Sequence, residues 1–279
     1  MPELPEVETM RRGILGVVGS RIEDVERVIC RRRPIAIAPR IDRFRQRAAG
    51  RVIRDVGRVG KRVIVALDTG DAIVMEPRMT GLVLVAEPPT REHLRFRCTL
   101  SGNGIGELLY WDRRGLGSVR LLAPKEFENA FGLDKVGPDA LAMTAESFRE
   151  RLGRSTRAVK VALLDQRAVA GIGNMYASEI LHVAGVHPAR QCTRVTRREW
   201  QAIADATRAI LTAAIRYEGS TLRNGTYRNA LNEEGGYQNH HRVYDRAGKP
   251  CPRCGGGSAI SRIVQAQRST FFCPDCQRR

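Results

Sequence analysis

Apolar residues near the start of the chain recur at helical spacing. Val7, Met10, Ile14 and Val17 lie three or four positions apart, and this period predicts a helix over residues 5–18. A proline in the first turn suits such a helix, because the amide hydrogen that it lacks has no partner there.

The next hundred residues change to the pattern of β-strands. Between residues 21 and 122, short β-branched and apolar runs alternate with turn residues, as in a sandwich or barrel. In LDTGDAIV, the polar stretch Asp68–Asp71 predicts the turn of a hairpin. The runs that we interpret as strands are RIEDVERVI, RVIRDV, KRVIVAL, AIVM, LVLV, LRFRCTL, ELLYW and SVRLL.

Helical spacing returns in the second half of the chain. Thr196 and Glu199 have the spacing of a capping box and predict the start of a helix. We expect its buried face to contain Trp200, Ile203, Thr207, Ile210, Leu211, Ala214 and Ile215. Weak periodicity predicts a linker over 126–143, and the Gly- and Asn-rich residues 219–241 predict a long loop.

The charge of the chain points to a polyanionic partner. Its 279 residues include 47 Lys and Arg against 30 Asp and Glu, a formal net charge of +17. Nucleic acid fits this excess best, and we find no basic amphipathic helix of the membrane-surface type. No run approaches the ~18 apolar residues of a membrane span, and the charged N-terminus does not have the pattern of a secretory signal. We therefore expect a cytoplasmic protein that lies with DNA or RNA.

Four cysteines near the C-terminus have the spacing of a zinc site. Cys251 and Cys254 form one C-x2-C pair, and Cys273 and Cys276 form a second after eighteen intervening residues. Four thiolates would leave zinc no open position, so the predicted cofactor is one structural Zn²⁺. Disulfides are the alternative, which a cytosolic compartment disfavours. Cys30, Cys98 and Cys192 are scattered, and we expect them to be small buried apolar residues.

The first two residues allow an unusual nucleophile. Removal of Met1 would leave Pro2 with a secondary amine at the N-terminus. An amine attacks carbon only when unprotonated, and an α-amino pKa of about 8 leaves roughly a tenth neutral at pH 7. The neighbouring carboxyl group of Glu3 is a candidate proton donor. Many proteins begin with Met-Pro, however, so this pair does not by itself decide the function.

Five motifs, spread over the whole chain, carry a resemblance to one family. PELPEVET resembles the N-terminus of the formamidopyrimidine-DNA glycosylase family, bacterial enzymes that excise oxidised purines. RVGKRV is similar to its lysine-bearing hairpin and MTG to its wedge. LLDQRAVAGIGNMYASEIL resembles its helix–two-turn–helix segment, and QRSTFFCPDCQ its zinc hairpin. The related endonuclease VIII branch begins Pro-Glu-Gly-Pro, so Pro-Glu-Leu-Pro favours the purine-lesion branch.

The resemblance implies an α+β multidomain fold. Its expected domains are an N-terminal catalytic β-sandwich with an N-terminal helix, a linker, a helical helix–two-turn–helix DNA-binding domain with a lesion-capping loop (220–241), and a C-terminal zinc finger. We place these domains at 1–125, 126–143, 144–241 and 242–279. The expected partner is double-stranded DNA that contains oxidised bases or abasic sites, bound by a monomer in the bacterial nucleoid.

By resemblance, Pro2 displaces the damaged base and forms a Schiff base with C1′ of the sugar. Glu3 is implied to help open the deoxyribose ring, and β,δ-elimination then cuts the strand. The implied enzyme is a bifunctional DNA glycosylase/AP lyase of base excision repair. Glu6 resembles the family's second acidic residue near the site. Dipole stabilisation at a helix start is an equal alternative for Glu6 and also an explanation for Glu8.

Further residues are implied to hold the DNA backbone. Lys61 matches the hairpin lysine that faces the phosphate or lesion, although a solvated turn lysine is the simpler reading. Lys160 matches a helical lysine near the site, and Arg268 a catalytic-site arginine of the zinc hairpin that clamps phosphates. Asn174 follows two glycines of GIGN, which suit phosphate approach at a helix start, or it is a plain N-cap. His93 is a further phosphate candidate.

A base inside a duplex must be flipped out before it can be attacked, and the gap must be filled. Met79 matches the family's wedge methionine, with burial in the core as the alternative. Arg114 matches the arginine that contacts the orphaned cytosine. Gly115 stands where a second basic residue is common, and Leu116 where phenylalanine is expected.

Two other functions stay open at this point. The first is the same chemistry on oxidised pyrimidines, as in endonuclease VIII, which excision rates on the two kinds of lesion would distinguish. A zinc-ribbon protein that binds DNA without catalysis is the alternative from another class, which the Pro2–Glu3 pair and Lys61 argue against.

Overall fold

The chain divides into two units by the contacts that its residues make. The computed structural model describes residues 2–132, 134–222 and 225–279, so Met1 and the predicted linker and loop positions 133 and 223–224 lie outside the described residues. Unit 1 comprises Met1–Gly132 with Ile215–Gln238, and unit 2 comprises Leu133–Ala214 with Asn239–Arg279. Residues 215–238 thus group with the N-terminal half, and the domain limits given above stay a prediction.

Unit 1 begins with helix α1, Leu4–Gly13, followed by a short 3-10 turn at Leu15–Val17. The helix is therefore shorter than the predicted 5–18. The predicted apolar positions are nevertheless confirmed, since Val7, Met10, Ile14 and Val17 are all fully buried. They join the main core of the unit, which lets α1 hold the N-terminus against the sheets.

Two sheets form the sandwich of unit 1. One has the order β1-β7-β8-β6 and the other β2-β9-β5-β4-β3. The strands are β1 Arg21–Arg27, β2 Ala36–Ala38, β3 Ile53–Val59, β4 Arg62–Leu67, β5 Ala72–Glu76, β6 Gly81–Leu84, β7 Leu94–Ser101, β8 Glu107–Asp112 and β9 Ser118–Leu122. Apolar residues of both sheets share one buried core. All eight runs predicted as strands are confirmed, as is the β4–β5 hairpin around Asp68–Asp71.

Three elements of this region were not predicted. Strand β2 has only three residues, too few for a period to show. Helix α2, Ile41–Ala48, buries only Phe44 and Ala48 among charged residues, so its apolar stripe is faint. Helix α3, Pro124–Phe131, overlaps the start of the predicted linker, and its backbone is capped by the Glu126 carboxylate, which accepts the Ala123 N–H at 2.7 Å.

Unit 2 is mainly helical and ends in a two-stranded ribbon. Its elements are α4 Ala145–Leu152, α5 Val159–Leu163, α6 Asn174–Ala184, α7 Arg197–Arg216, β10 Ser261–Gln265 and β11 Arg268–Phe272, with the last two residues of α7 in unit 1. The α7 capping box is confirmed, because the Thr196 N–H donates to Glu199 Oε2 at 2.8 Å and the Glu199 N–H to Thr196 Oγ1 at 3.2 Å. All seven residues predicted for its buried face are buried.

The predicted long loop has little regular structure. Of its described residues, only Tyr237–His240 form a 3-10 turn. Among the residues that the structure describes, no helix has the length and apolarity needed to cross a membrane.

Candidate active site and DNA-binding residues

The N-terminal segment is buried where α1 begins. Pro2 is buried and Glu3 is 2% exposed, while Pro5 occupies the first turn. The Glu6 carboxylate, 1% exposed, accepts the Glu3 N–H at 2.9 Å and the Ser220 N–H at 3.0 Å. Glu6 therefore fixes the backbone next to Pro2 and connects it to the loop after α7, a more specific role than dipole stabilisation alone.

Gly219 allows the loop to approach Glu6 closely. A Cβ at this position would lie 2.9 Å from Glu6 Cγ, and the backbone has φ +78°, which favours glycine. The buried Tyr227 hydroxyl lies 3.0 Å from the Glu218 carbonyl and 3.3 Å from the Glu6 carbonyl. The start of the loop is thus held against the first turn of α1.

Glu8 belongs to an ion-pair cluster. Its carboxylate accepts hydrogen bonds from the guanidinium groups of Arg11, Arg12 and Arg58 at 2.8–3.1 Å. Burial alone would raise the pKa of Glu8, but these three arginines lower it to about 2. Glu8 is therefore ionised at neutral pH and holds α1 to strand β3, which favours a structural role.

Lys61 lies in the two-residue turn between β3 and β4, next to Gly60. It is half-buried, and the Arg58 side chain donates to the Gly60 carbonyl at 3.0 Å. The turn is thus braced by the same arginine that pairs with Glu8, and Lys61 is carried on a fixed hairpin rather than a free loop.

Asp112, at the end of β8, organises the loop that follows it. Its buried carboxylate accepts the N–H groups of Arg114 at 3.1 Å, Leu116 at 2.9 Å and Gly117 at 2.8 Å. It also accepts the Thr80 hydroxyl, whose oxygen accepts the Arg114 N–H at 3.0 Å. Sequence reasoning missed Asp112 and Thr80. The available signal was an aspartate that directly follows the apolar run ELLYW.

The predicted wedge residues lie on the two loops that Asp112 and Thr80 join. Met79 is 40% exposed, so burial in the core is wrong, and the Arg114 Nη1 donates to its sulfur at 3.1 Å. Leu116 is half-buried. Gly115 has φ +63°, and a Cβ there would lie 2.1 Å from the Arg33 carbonyl oxygen, which explains why this position holds no side chain.

The side chain of His93 is largely buried. Its side chain is 13% exposed and its ring packs edge-on against Trp111 with centroids 5.5 Å apart. Its Nδ1 is buried with no hydrogen-bond partner among the described residues. Most of the ring is therefore covered, which limits how it can reach a phosphate.

In unit 2, Lys160 and Asn174 form a pair. Lys160 is fully buried on α5, and its ammonium donates to Asn174 Oδ1. Asn174 Nδ2 donates to the Ser269 carbonyl of β11 at 3.0 Å. The N-cap of α6 is Gly173, so the reading of Asn174 as a plain N-cap is wrong. The structure instead makes Asn174 the link between the buried lysine and the ribbon.

Arg268 begins β11 directly after the turn of the ribbon. Ala266 and Gln267 have positive φ values of 46° and 61°, and Arg268 pairs with Gln265 across the hairpin. Arg268 is exposed and lies one residue before Ser269, the partner of Asn174. The three predicted phosphate ligands thus come from three elements in contact, Lys160 from α5, Asn174 from α6 and Arg268 from β11.

The four predicted zinc cysteines lie together. Their Sγ atoms are all within 4.8 Å of one another, with Cys251–Cys276 at 3.8 Å and Cys254–Cys273 at 3.9 Å. Tetrahedral zinc with bonds of about 2.3 Å separates its sulfur ligands by about 3.8 Å. These thiols therefore fit a closed Zn²⁺ site, which holds the ribbon and leaves no position for water.

Two of the three cysteines outside the zinc site are buried, as expected. Cys98 and Cys192 are buried, and burial raises the pKa of both thiols, that of Cys192 to about 11. Cys30 is only half-buried, and its thiol donates to the Glu92 carbonyl at 3.0 Å, so the expectation of burial is wrong there.

Comparison with known proteins identifies the family to which this chain belongs. Residues 1–119 match the family model described as the formamidopyrimidine-DNA glycosylase N-terminal domain, and 136–226 match the corresponding H2TH domain. Residues 248–279 match a zinc finger found in FPG and IleRS. The formamidopyrimidine-DNA glycosylase of Chloroflexus aggregans is 42% identical over 99% of this chain and 98% of its own length. The chain belongs to the formamidopyrimidine-DNA glycosylase family.

Other members of the formamidopyrimidine-DNA glycosylase family are similar over the same length. The Streptococcus pneumoniae enzyme is 37% identical over the whole of both chains. The crystal structure of Thermus thermophilus MutM (Fpg) has a TM-score of 0.85 at 35% identity, covering 99% of this chain and 98% of that one. A complex of Lactococcus lactis Fpg with DNA containing an abasic site has a TM-score of 0.86 at 31% identity, covering 99% and 100%. The predicted family and fold class are thereby confirmed.

The predicted residues are distributed over all three matched domains. Pro2, Glu3, Lys61, Met79, His93, Arg114 and Leu116 lie in the N-terminal domain match. Lys160 and Asn174 lie in the H2TH match, and Arg268 and the four cysteines in the zinc-finger match. Their individual roles stay predictions.

Proposed function

We propose that this chain removes oxidised purines, such as 8-oxoguanine and formamidopyrimidines, from double-stranded DNA and then cuts the strand at the abasic site. It is a DNA glycosylase with AP lyase activity, and it acts in base excision repair in the bacterial cytoplasm, at the nucleoid. The observation that carries the proposal is the N-terminus. Pro2 and Glu3 lie side by side at a helix start that Glu6 holds in place, in a chain of this family.

The reaction begins once Met1 has been removed. The neutral Pro2 amine attacks C1′ of the damaged nucleotide, the N-glycosidic bond breaks, and the base leaves with a proton. Glu3 donates a proton to the ring oxygen, the sugar opens, and an iminium forms between Pro2 and C1′. The iminium acts as an electron sink.

Strand cleavage follows because the iminium accepts the electrons that elimination releases. Loss of a C2′ proton expels the 3′ phosphate, and a second elimination expels the 5′ phosphate. Water then hydrolyses the imine, which frees Pro2 for another turnover. Glu6 does not need to transfer a proton in this scheme, because its two carboxylate oxygens already hold the Glu3 and Ser220 N–H groups.

Positively charged and amide side chains hold the backbone around the lesion. We assign this role to Lys61 on its hairpin and to the group formed by Lys160, Asn174 and Arg268. Because Lys160 is buried and hydrogen-bonded to Asn174, it acts mainly by orienting the amide. His93 has a lesser role, consistent with its packing on Trp111.

The duplex gap is filled from the loops that Asp112 and Thr80 join. Met79 and Leu116 insert between bases, and Arg114 contacts the unpaired base opposite the lesion. Support comes from the exposure of Met79 and Arg114 and from the hydrogen bonds that fix the loop backbone. The lesion-capping loop is assigned to residues 220–241.

Borohydride trapping tests the proposal. The protein is incubated with a duplex containing 8-oxoguanine opposite cytosine, reduced with borohydride, digested and analysed by mass spectrometry. We expect one covalent adduct on the peptide that begins at Pro2. The matched control is the same chain with one additional N-terminal residue, which keeps every side chain but converts the Pro2 amine to an amide. No adduct from processed, zinc-loaded protein would overturn the proposal.

The same assay distinguishes the alternatives. Faster trapping on a duplex with an oxidised pyrimidine would indicate endonuclease VIII-like specificity. Tight binding of both duplexes without any adduct would indicate a DNA-binding protein without catalysis.

A further inference from the structure

The zinc ribbon is attached to helix α6 at the C-terminal end of the helix. Arg253, between Cys251 and Cys254, donates from Nη1 to the carbonyls of His182 at 2.8 Å and Val183 at 3.1 Å. These carbonyls belong to the last turn, where backbone acceptors have no partner within the helix. The segment between the first two cysteines therefore caps α6.

One side chain of α6 reaches the metal site itself. His182 is fully buried, and its Nε2 lies 3.4 Å from the Sγ of Cys251, which is 1% exposed. The backbone N–H of Arg253 lies at the same distance from that sulfur. When zinc binds, Cys251 is a thiolate with no hydrogen, so it can only accept. The hydrogen of the pair must then be on His182 Nε2.

We propose that His182 is a positioning residue for the zinc site, in which its Nε2–H donates a hydrogen bond to the zinc-bound thiolate of Cys251. The other ring nitrogen, Nδ1, is buried with no hydrogen-bond partner among the described residues. The thiolate therefore fixes the tautomer of His182. A hydrogen bond to a charged acceptor is stronger than one between neutral groups, and partners of this kind orient metal ligands.

The consequence of this bond is that the metal site is coupled to α6 as a whole. The middle of the helix carries Glu179, whose buried carboxylate accepts three consecutive N–H groups at 2.8–2.9 Å, those of Arg242, Val243 and Tyr244. The first residue, Asn174, donates to Ser269 of the ribbon. His182 is the point in this series of contacts that touches a zinc ligand directly.

The test measures zinc affinity and does not depend on glycosylase activity. Full-length His182→Leu is compared with the wild type by competition with a chromophoric chelator. We expect the zinc dissociation constant to rise about 10- to 100-fold, the usual range for losing such a partner. His182→Gln, which retains an N–H donor, should restore part of the affinity. His187→Leu is the matched control, because the His187 ring packs on Phe272 and the described contacts include none with a thiol.

A second measurement uses the wild-type protein, so that misfolding of a variant cannot decide the result. In protein loaded with ¹¹³Cd in place of zinc, we expect scalar coupling between the metal and the Hε2 proton of His182 through the sulfur. Absence of this coupling, or unchanged zinc affinity in a folded His182→Leu protein, would overturn the proposal. It would also be overturned by a cobalt(II) spectrum showing nitrogen coordination, which would make His182 a ligand.

Discussion

Asp112 offers the most direct test of how the wedge loops are held. In Asp112→Ala, the N–H groups of Leu116 and Gly117 lose the carboxylate oxygen that accepts them at 2.9 and 2.8 Å. A buried donor that loses its acceptor costs about 1–3 kcal/mol. The two donors together predict a loss of roughly 2–6 kcal/mol in the free energy of unfolding. Arg114 contributes less, since its N–H keeps the Thr80 hydroxyl oxygen.

A second substitution, Asp112→Asn, tests which hydrogen bonds of the carboxylate matter. The amide keeps one oxygen, which can face Leu116 and Gly117 if its NH₂ group faces Thr80. The Arg114 N–H then loses Asp112 as an acceptor, and the Thr80 hydroxyl accepts from the amide instead of donating to the carboxylate, so we expect the free energy of unfolding to decrease by about 1–3 kcal/mol. The order of stability should therefore be wild type, then asparagine, then alanine.

Urea unfolding monitored by tryptophan fluorescence measures these differences, since Trp111 adjoins Asp112. The control is Asp42→Asn, at an exposed aspartate in the first turn of α2 with a 3.7 Å ion pair to Arg40, where the free energy of unfolding should change by less than about 1 kcal/mol. Equal stability of Asp112→Ala and the wild type would refute the assignment of Asp112 as the organiser of this loop. Lesion-duplex binding should weaken in the same order, because Met79, Arg114 and Leu116 depend on the same anchor.

Three further predictions concern single positions. Leu116→Phe should tighten binding to lesion duplex, because an aromatic ring stacks on bases for up to about 1–3 kcal/mol; a titration showing equal or weaker binding contradicts the wedge role. Folding lowers the pKa of Glu8 from 4.5 to about 2. Its contribution to the free energy of unfolding is therefore complete above about pH 5 and is lost as the pH falls towards 2. Between those pH values, the free energy of unfolding of the wild type should fall by up to about 3 kcal/mol more than that of Glu8→Gln. Parallel acid-unfolding curves of the two proteins would disprove this. Gly115→Ala should destabilise by more than about 1 kcal/mol, because the new Cβ meets the Arg33 carbonyl at a positive φ; unchanged thermal unfolding would show that the loop moves freely.

Local patterns in the sequence predicted much of this fold. The eight predicted strands and the α7 capping box depend on residues within a few positions of each other, and they formed as expected. The zinc site was equally predictable from the sequence, because two C-x2-C pairs can each bring two thiolates to one tetrahedral ion. Helix α2 was missed because only two of its eight residues are buried.

Long-range contacts explain what the sequence did not predict. Asp112 and Thr80 are 32 positions apart, and although Thr80 is part of MTG, that motif does not indicate that its hydroxyl binds Asp112. Glu6 and Ser220 are 214 positions apart, so no local pattern could distinguish a dipole role from an anchoring role. His182 directly follows the segment LLDQRAVAGIGNMYASEIL, and no local pattern indicates its contact with Cys251, which is 69 positions away.

The contact between Glu6 and Ser220 has a consequence for the order of events during synthesis. At about 5–20 residues per second, the ribosome needs on the order of 10–40 s to extend the chain from Glu6 to Ser220. During that time the loop that holds the first turn of α1 does not yet exist. The nascent N-terminus therefore stays accessible to methionine aminopeptidase until the chain is almost complete. In this protein, the long sequence separation gives processing time to finish before the amine of Pro2, the nucleophile of the proposed reaction, is enclosed.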